Sequence, residues 1–127
     1  MTRRLFGAGL LFLLAGSLSV FAAPNGATQT WMGYVTDTYC GYNRVNKPPT
    51  ATCTFKCVQE QHAKYAFFNF ADKKVYVLNP QNEAAKFAGQ TVVVKGTLAG
   101  HEAFATEKGP SAGSIITASS ISLETGK

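Results

Sequence analysis

The chain has 127 residues, and its 12 Lys and Arg residues against 7 Asp and Glu give a formal net charge of +5 at pH 7. The basic residues are spread along the chain and do not form the dense basic face that nucleic-acid-binding domains present. The length fits one domain with one hydrophobic core. We therefore expect a single small domain without a nucleic-acid partner.

The first 22 residues predict export from the cytoplasm. Arg3 and Arg4 precede an uncharged, leucine-rich stretch, residues 5–20, that leads to the small residues Ala22 and Ala23. This is the order of a basic region, an apolar region and a cleavage site in a secretory signal peptide. Glycines and serines interrupt the apolar stretch, which favours cleavage over a retained membrane anchor. We predict cleavage after Ala22, a periplasmic or extracellular product, and no membrane attachment after cleavage.

The mature chain is expected to begin with a flexible segment, residues 23–30, because that segment is small, polar and turn-rich. The first predicted strand, residues 31–39, is rich in aromatic and β-branched residues. Gly33 within it indicates a bulge or a close backbone approach. The strand stops at Cys40.

An insert that carries two cysteines is predicted next. Residues 41–52 contain asparagines and prolines and are expected to form a loop. A short helix then runs from residue 53 to about residue 64, with Thr50 or Thr52 as its N-cap.

A hairpin and a second helix are predicted after the insert. Residues 65–70 and 74–78 are strand-like runs separated by three residues, as in a β-hairpin. Asn79-Pro80 predicts an N-cap followed by proline at the first helical position. Gly89 is expected to end the helix in the left-handed conformation. The second helix is therefore predicted over residues 81–88.

The last predicted strands are residues 91–98 and 114–123, joined by a glycine-containing connection and followed by a frayed tail, residues 124–127. Five strands with a helix between the third and fourth is the chain order of an OB-fold barrel. We predict a mainly β domain over residues 31–123, a small five-stranded OB-fold-like barrel with a Cys-bearing helical insert between strands 1 and 2. Another five-stranded barrel, or an open antiparallel sheet with a helix across it, stays an alternative.

A spaced pattern of residues runs from the first strand into the insert. It comprises Trp31, Gly33, Val35, Asp37, Cys40, Gly41, Cys53, Cys57 and Val58. In this pattern the chain resembles an uncharacterised family of small secreted bacterial domains, over nearly all of the mature sequence. The resemblance implies the fold and export but no activity. That family commonly has a histidine shortly after its first cysteine, and residues 42–47 contain none.

The three cysteines, Cys40, Cys53 and Cys57, allow at most one disulfide within the chain. Cys53 and Cys57 are one helical turn apart, with Cβ atoms about 5–6 Å apart on an intact helix, whereas a disulfide needs about 3.5–4.5 Å. Cys40 is therefore the expected partner of one of them, and the spacing does not choose which. The third cysteine would then be available to link two chains into a dimer through an intermolecular disulfide.

A metal site is the first alternative, because three thiolates from Cys40, Cys53 and Cys57 suit Zn²⁺ or Cu(I). A fourth ligand is missing from this set, since His62 is rotated away from Cys57 on the predicted helix and His101 lies in a distant turn. A thiol-redox function is the second alternative, although the chain has no Cys-x-x-Cys motif.

No Ser/His/Asp order or phosphate-binding glycine loop indicates an enzyme or a cofactor. The aromatic residues of the hairpin alternate, so that one set fills the core and the other faces outward. We assign Phe68 and Phe70 to the core and Tyr65, Phe67 and Tyr76 to a ligand face of the kind that OB-folds use. The sequence thus predicts an exported, non-enzymatic binding module for a small ligand, a peptide or a glycan.

Overall fold

The computed structural model describes residues 26–41 and 49–126. The predicted signal peptide, residues 1–22, and the segment 42–47 lie outside the described residues. Seven elements follow in chain order: β1 (Gln29–Asp37), α1 (Ala51–Glu60), β2 (Tyr65–Asn69), β3 (Val75–Asn79), α2 (Gln81–Ala85), β4 (Thr91–Thr106) and β5 (Gly109–Leu123). The described chain is mainly β, and its elements occur in the order that the sequence predicts.

The five strands form one mixed sheet that closes in a ring. β1 is antiparallel to both β2 and β4, and β2 is antiparallel to β3. β3 is parallel to β5, and β5 returns antiparallel along β4. The order around the ring is therefore β1-β2-β3-β5-β4 and back to β1.

The main hydrophobic core lies inside this ring, because all five strands contribute side chains to it. Its buried members are Val35, Tyr65, Phe67, Leu78, Ala84, Ala88, Val92, Val94 and Ile116. The two alanines come from α2 and from the turn after it, so that this segment covers one part of the ring interior. Burying apolar surface in this way is the main favourable contribution to folding.

A second apolar cluster covers the opposite face of β1, β2 and β3. It contains Tyr34, Ala66, Phe68 and Val75, with Phe70 packed against it. The rings of Tyr34 and Phe68 stack with their centroids 4.8 Å apart. All five residues of β2 are consequently buried, whichever face they point to.

Close contact between β1 and β2 explains Gly33, as the sequence predicts. A Cβ atom at this position would lie 1.8 Å from the carbonyl oxygen of Phe68 and 2.7 Å from Cζ of Phe67. Such distances are far inside van der Waals contact, so only a residue without a side chain fits here.

The ends of the helices agree with the prediction only in part. Thr50 is the N-cap of α1, and its hydroxyl accepts a hydrogen bond from the backbone N–H of Cys53 at 3.1 Å. Pro80, rather than Asn79, is the N-cap of α2, and the helix ends three residues earlier than predicted. Gly89 has a φ of +75°, the left-handed conformation expected of it.

The predicted connection between the last two strands is instead a two-stranded extension of β4 and β5, residues 99–113, which we call the arm. The backbone N–H of Glu107 donates to the carbonyl of Tyr39 at 3.2 Å, and Glu102 forms an ion pair with Lys64. Phe104 is buried. These contacts hold the arm against the ends of β1 and β2, beside the Cys-bearing insert. Among the described residues no helix is both long and apolar enough to cross a membrane.

Candidate functional site

Two cysteines meet where β1 ends. Cys40 follows β1 by three residues, and Cys57 points from the buried face of α1 toward it. The two Sγ atoms are 2.8 Å apart. This distance exceeds the roughly 2.05 Å of a disulfide bond. It is also shorter than the roughly 3.5–4.0 Å at which even the smaller carbon atoms rest without a bond.

Of the two partners that the sequence leaves open for Cys40, Cys57 is the one that lies close to it. Cys57 is 6% exposed, while Cys40 is half-buried. Cys53 lies one helical turn before Cys57, in the first turn of α1, and is not part of the close group.

Asp37, the third member of this group, stands in the spaced pattern of the sequence but is not predicted as a site residue. Its Oδ1 accepts hydrogen bonds from the backbone N–H groups of Tyr39 at 2.8 Å and Cys40 at 2.7 Å. These bonds fix the turn that carries Cys40. Possible ligand atoms of Asp37, Cys40 and Cys57 all lie within 4.8 Å of one another.

The other oxygen of Asp37, Oδ2, is buried and has no hydrogen-bond partner of ordinary geometry. Burial is the largest influence on this carboxyl and raises its pKa, whereas backbone N–H groups and the nearby Cys57 thiol lower it. Burial also raises the pKa of the Cys57 thiol, and the hydrogen bond to Cys40 and the charge of Asp37 act in the same direction. The group is thus a buried acid beside a buried thiol.

The spacing of the sulfurs bears on the metal alternative, because Asp37, Cys40 and Cys57 are close enough to one another to offer ligands to one ion. Two thiolates on one tetrahedral Zn²⁺, each about 2.3 Å from it, stand about 3.8 Å apart. Cys40 and Cys57 are closer than that. The set considered in the sequence analysis is not assembled either, because Cys53 is outside the group and the exposed His62 and His101 are not in it.

Two of the three residues predicted for the ligand face are buried and do not lie at the surface. Tyr65 is 7% exposed and Phe67 is fully buried, and both belong to the core inside the ring. Neither side chain can therefore act as an open platform. Phe68 is buried as expected, and Phe70 is half-buried against it. The reason is that the core inside the ring covers one face of β2 and the outer cluster covers the other.

Tyr76 is the member of the proposed ligand face that does border an opening. A cleft of about 500 Å³ lies between β3 and the arm. Its lining consists of Lys73, Lys74, Val75, Tyr76, His101, Ala112, Gly113 and Ser114.

The polar groups of this cleft are mainly basic or hydroxyl. Lys73, Lys74 and His101 are exposed, and Nε2 of His101 is 3.2 Å from Oγ of Ser114. The Tyr76 hydroxyl donates to the carboxylate of Asp72 in the β2–β3 turn. Among the residues that line this cleft, Tyr76 is the one that the sequence predicts for a ligand face.

Comparisons of this chain with protein-family models, curated proteins and solved structures found no match.

Proposed function

We propose that this chain is an exported, non-enzymatic binding module built on an OB-fold-like barrel. The strand order β1-β2-β3-β5-β4, with β3 parallel to β5 and a helix between β3 and β4, supports that fold. The ligand occupies the cleft beside the arm. A disulfide between Cys40 and Cys57 holds the insert in place.

The approach of the two sulfurs to 2.8 Å is the observation that supports the disulfide. The insert needs such a tie, because α1 buries only Thr54 and Cys57 among its ten residues. So small a buried surface contributes little hydrophobic stabilisation. An oxidising compartment outside the cytoplasm permits the bond to form and persist.

The cleft is the observation that carries the binding function. OB-folds bind their ligands on the face of strands 2 and 3, flanked by the connections between strands 1 and 2 and between strands 4 and 5. This cleft is bounded by β3 and by the arm, which connects β4 and β5. Its volume is within the range of small-molecule sites.

The residues at the cleft indicate the class of ligand. Lys73, Lys74 and His101 offer donors and positive charge, while Tyr76 offers a half-buried ring. Ionised groups are bound more strongly by charged donors than by neutral ones. We therefore infer an acidic glycan, whose carboxylates meet the lysines and whose sugar ring packs beside Tyr76.

Titration of the mature, oxidised protein with trigalacturonate, followed by amide chemical shifts, tests the binding site. The largest shifts are expected at Lys74, Tyr76, His101 and Ser114. The double variant K73A/K74A is expected to weaken binding by about tenfold or more, equivalent to about 1.4 kcal/mol. The matched control K86A/K95A removes two lysines outside the cleft and leaves affinity unchanged. Equal binding of neutral maltotriose, or no shifts at all, would contradict the proposal.

Thiol titration, elemental analysis and peptide mapping of the same protein test the disulfide. We expect one free thiol, on Cys53, and a linked pair of peptides that contain Cys40 and Cys57. Three free thiols would refute the disulfide. Zinc or copper bound at one per chain would instead establish the rival function, metal binding by the cysteines.

A further inference from the structure

We propose that the Cys40–Cys57 disulfide is a reversible redox pair, opened by an external dithiol, with Asp37 as the buried proton donor and acceptor of Cys57. The inference rests on the disulfide of the proposed function but does not depend on the ligand cleft.

The two sulfurs differ in access, and this difference sets the direction of attack. Cys40 is half-buried, whereas Cys57 is 6% exposed. A thiolate of the external dithiol therefore attacks Sγ of Cys40 and forms a mixed disulfide there. The bond between the two Sγ atoms breaks, and Cys57 leaves as a thiolate.

The leaving sulfur needs a proton, because an isolated charge in a buried position is costly. Burial favours the neutral thiol of Cys57 and raises its pKa. The titratable groups that act on Cys57 are Asp37, Cys40 and Cys53. Asp37 is an acid whose neutral form burial favours, and we assign it as the group that gives the proton.

The orientation of Asp37 fits this role better than a structural role alone. Its Oδ1 holds the turn through two backbone N–H groups, and this bonding accounts for one oxygen only. Oδ2 is buried and has no hydrogen-bond partner among the described residues, and a carboxylate oxygen of Asp37 lies within 4.8 Å of both cysteine sulfurs. A buried polar atom without a hydrogen bond is unfavourable, and a proton on the carboxyl of Asp37 would reduce that penalty.

The complete reaction balances. The second thiolate of the dithiol attacks its own sulfur in the mixed disulfide and releases Cys40, which takes a proton from solvent. The dithiol is oxidised to its disulfide, loses two protons to solvent and delivers two electrons to the cysteine pair. Cys40 takes one proton from solvent. Asp37 gives its own proton to Cys57 and then takes the second proton from solvent. Oxidation of the pair runs the same steps in reverse.

The rate of reduction by dithiothreitol between about pH 5 and pH 8, corrected for the thiolate fraction of the reductant, tests this inference. D37N keeps an oxygen acceptor for the turn but cannot deliver the proton. We expect it to slow reduction on the order of 100-fold at the acidic end and to remove the inflection of the pH profile. The matched control D72N changes an exposed carboxylate and leaves rate and profile unchanged.

A measurement on the unmodified protein covers the case in which D37N does not fold. The carboxyl carbon of Asp37 is followed by NMR against pH in the oxidised and the reduced protein. Its titration midpoint is expected to differ between the two, because the Cys57 thiol is present only after reduction.

The outcomes separate this inference from the proposed function. One outcome is that the disulfide is present while D37N leaves its reduction rate unchanged and the Asp37 titration midpoint is the same in oxidised and reduced protein. That result overturns the redox role but does not contradict the binding module. Absence of the Cys40–Cys57 disulfide from the mature protein overturns both the stapled insert and the inference.

Discussion

Gly33 is the residue at which β1 leaves no space for a side chain. Replacing it with alanine would place a methyl group 1.8 Å from the Phe68 carbonyl oxygen. Because the nearest atom belongs to the backbone of β2, the strands must separate. We expect G33A to lower the free energy of unfolding by about 3 kcal/mol, measured by urea denaturation. G126A, where nothing lies within 4 Å of the added atom, is the control. A G33A loss as small as that of the control would contradict this account.

Asp37 is expected to make stability depend on pH in the direction opposite to that of a salt-bridged acid. Burial raises its pKa in the folded protein. Between the unfolded value, about 3.9, and the raised folded value, the folded state holds more protons than the unfolded state. The free energy of unfolding therefore falls as pH rises through this window and then levels off.

Urea denaturation of oxidised wild type and D37N over this window measures the effect as the difference between the two proteins. Wild type should lose stability relative to D37N as pH rises from about 4. E60Q, which changes an exposed acid at the end of α1, should run parallel to wild type. If the stability of wild type relative to D37N instead rose with pH, the hydrogen bonds that lower the pKa of Asp37 would outweigh the burial that raises it.

The residues of the cysteine site were only partly predictable. The three cysteines and the expected bridge to Cys40 follow from their number and spacing. The choice of Cys57 over Cys53 depends on how α1 is rotated against β1, which the burial of Thr54 and Cys57 decides. Asp37 carries one local signal, as the first acid of the chain, three residues before a cysteine at a strand end. Its burial is a tertiary property.

At the scale of elements, two interactions of the arm differ in strength. The ion pair between Lys64 and Glu102 has side chains that are 40% and 27% exposed. Phe104 is 8% exposed and lies against Gly113 of the opposite strand. Partly exposed ion pairs contribute about 0–1 kcal/mol, whereas removing a buried phenylalanine ring costs about 3–5 kcal/mol.

Burial of Phe104 is therefore expected to stabilise the arm more than the ion pair does. F104A should destabilise the protein by about 3 kcal/mol, while E102Q should cost less than about 1 kcal/mol. Thermal unfolding at low and high salt checks both values, and only the E102Q difference should shrink with salt. Equal losses for the two variants would contradict this division.

Strand and helix order was predictable because each element carries its own periodicity and end signals. The arm was not, since Gly100 and Gly109 are typical loop residues. Both have positive φ, of +58° and +117°, and lie at an irregularity of the ladder and beside the turn at the tip. The strands continue past them because the two halves pair with each other. The outward face of β2 was misassigned for a related reason: alternation identifies two faces, but not whether both are covered.

At the scale of the whole molecule, closure of the sheet leaves the insert outside the core. Every strand of the ring pairs on both sides, so the ring supports itself through β-ladders and its inner cluster. The insert joins β1 to β2 and contributes few buried side chains. Stability of the ring and order of the insert are thus separable properties.

Reduction of the proposed Cys40–Cys57 disulfide is expected to reveal this separation. Cys40 and Cys57 are 17 positions apart, and closing a loop of that length stabilises by about 3 kcal/mol on the chain-entropy estimate. Hydrogen exchange should show faster exchange in α1 after reduction, while the amides of β1, β2 and β4 stay protected if reduced protein remains folded. C53S should respond to reduction as wild type does, and C40A should not respond. Uniform loss of protection across ring and insert would mean that they unfold as one unit, because the bridge would then stabilise the whole domain and not its insert.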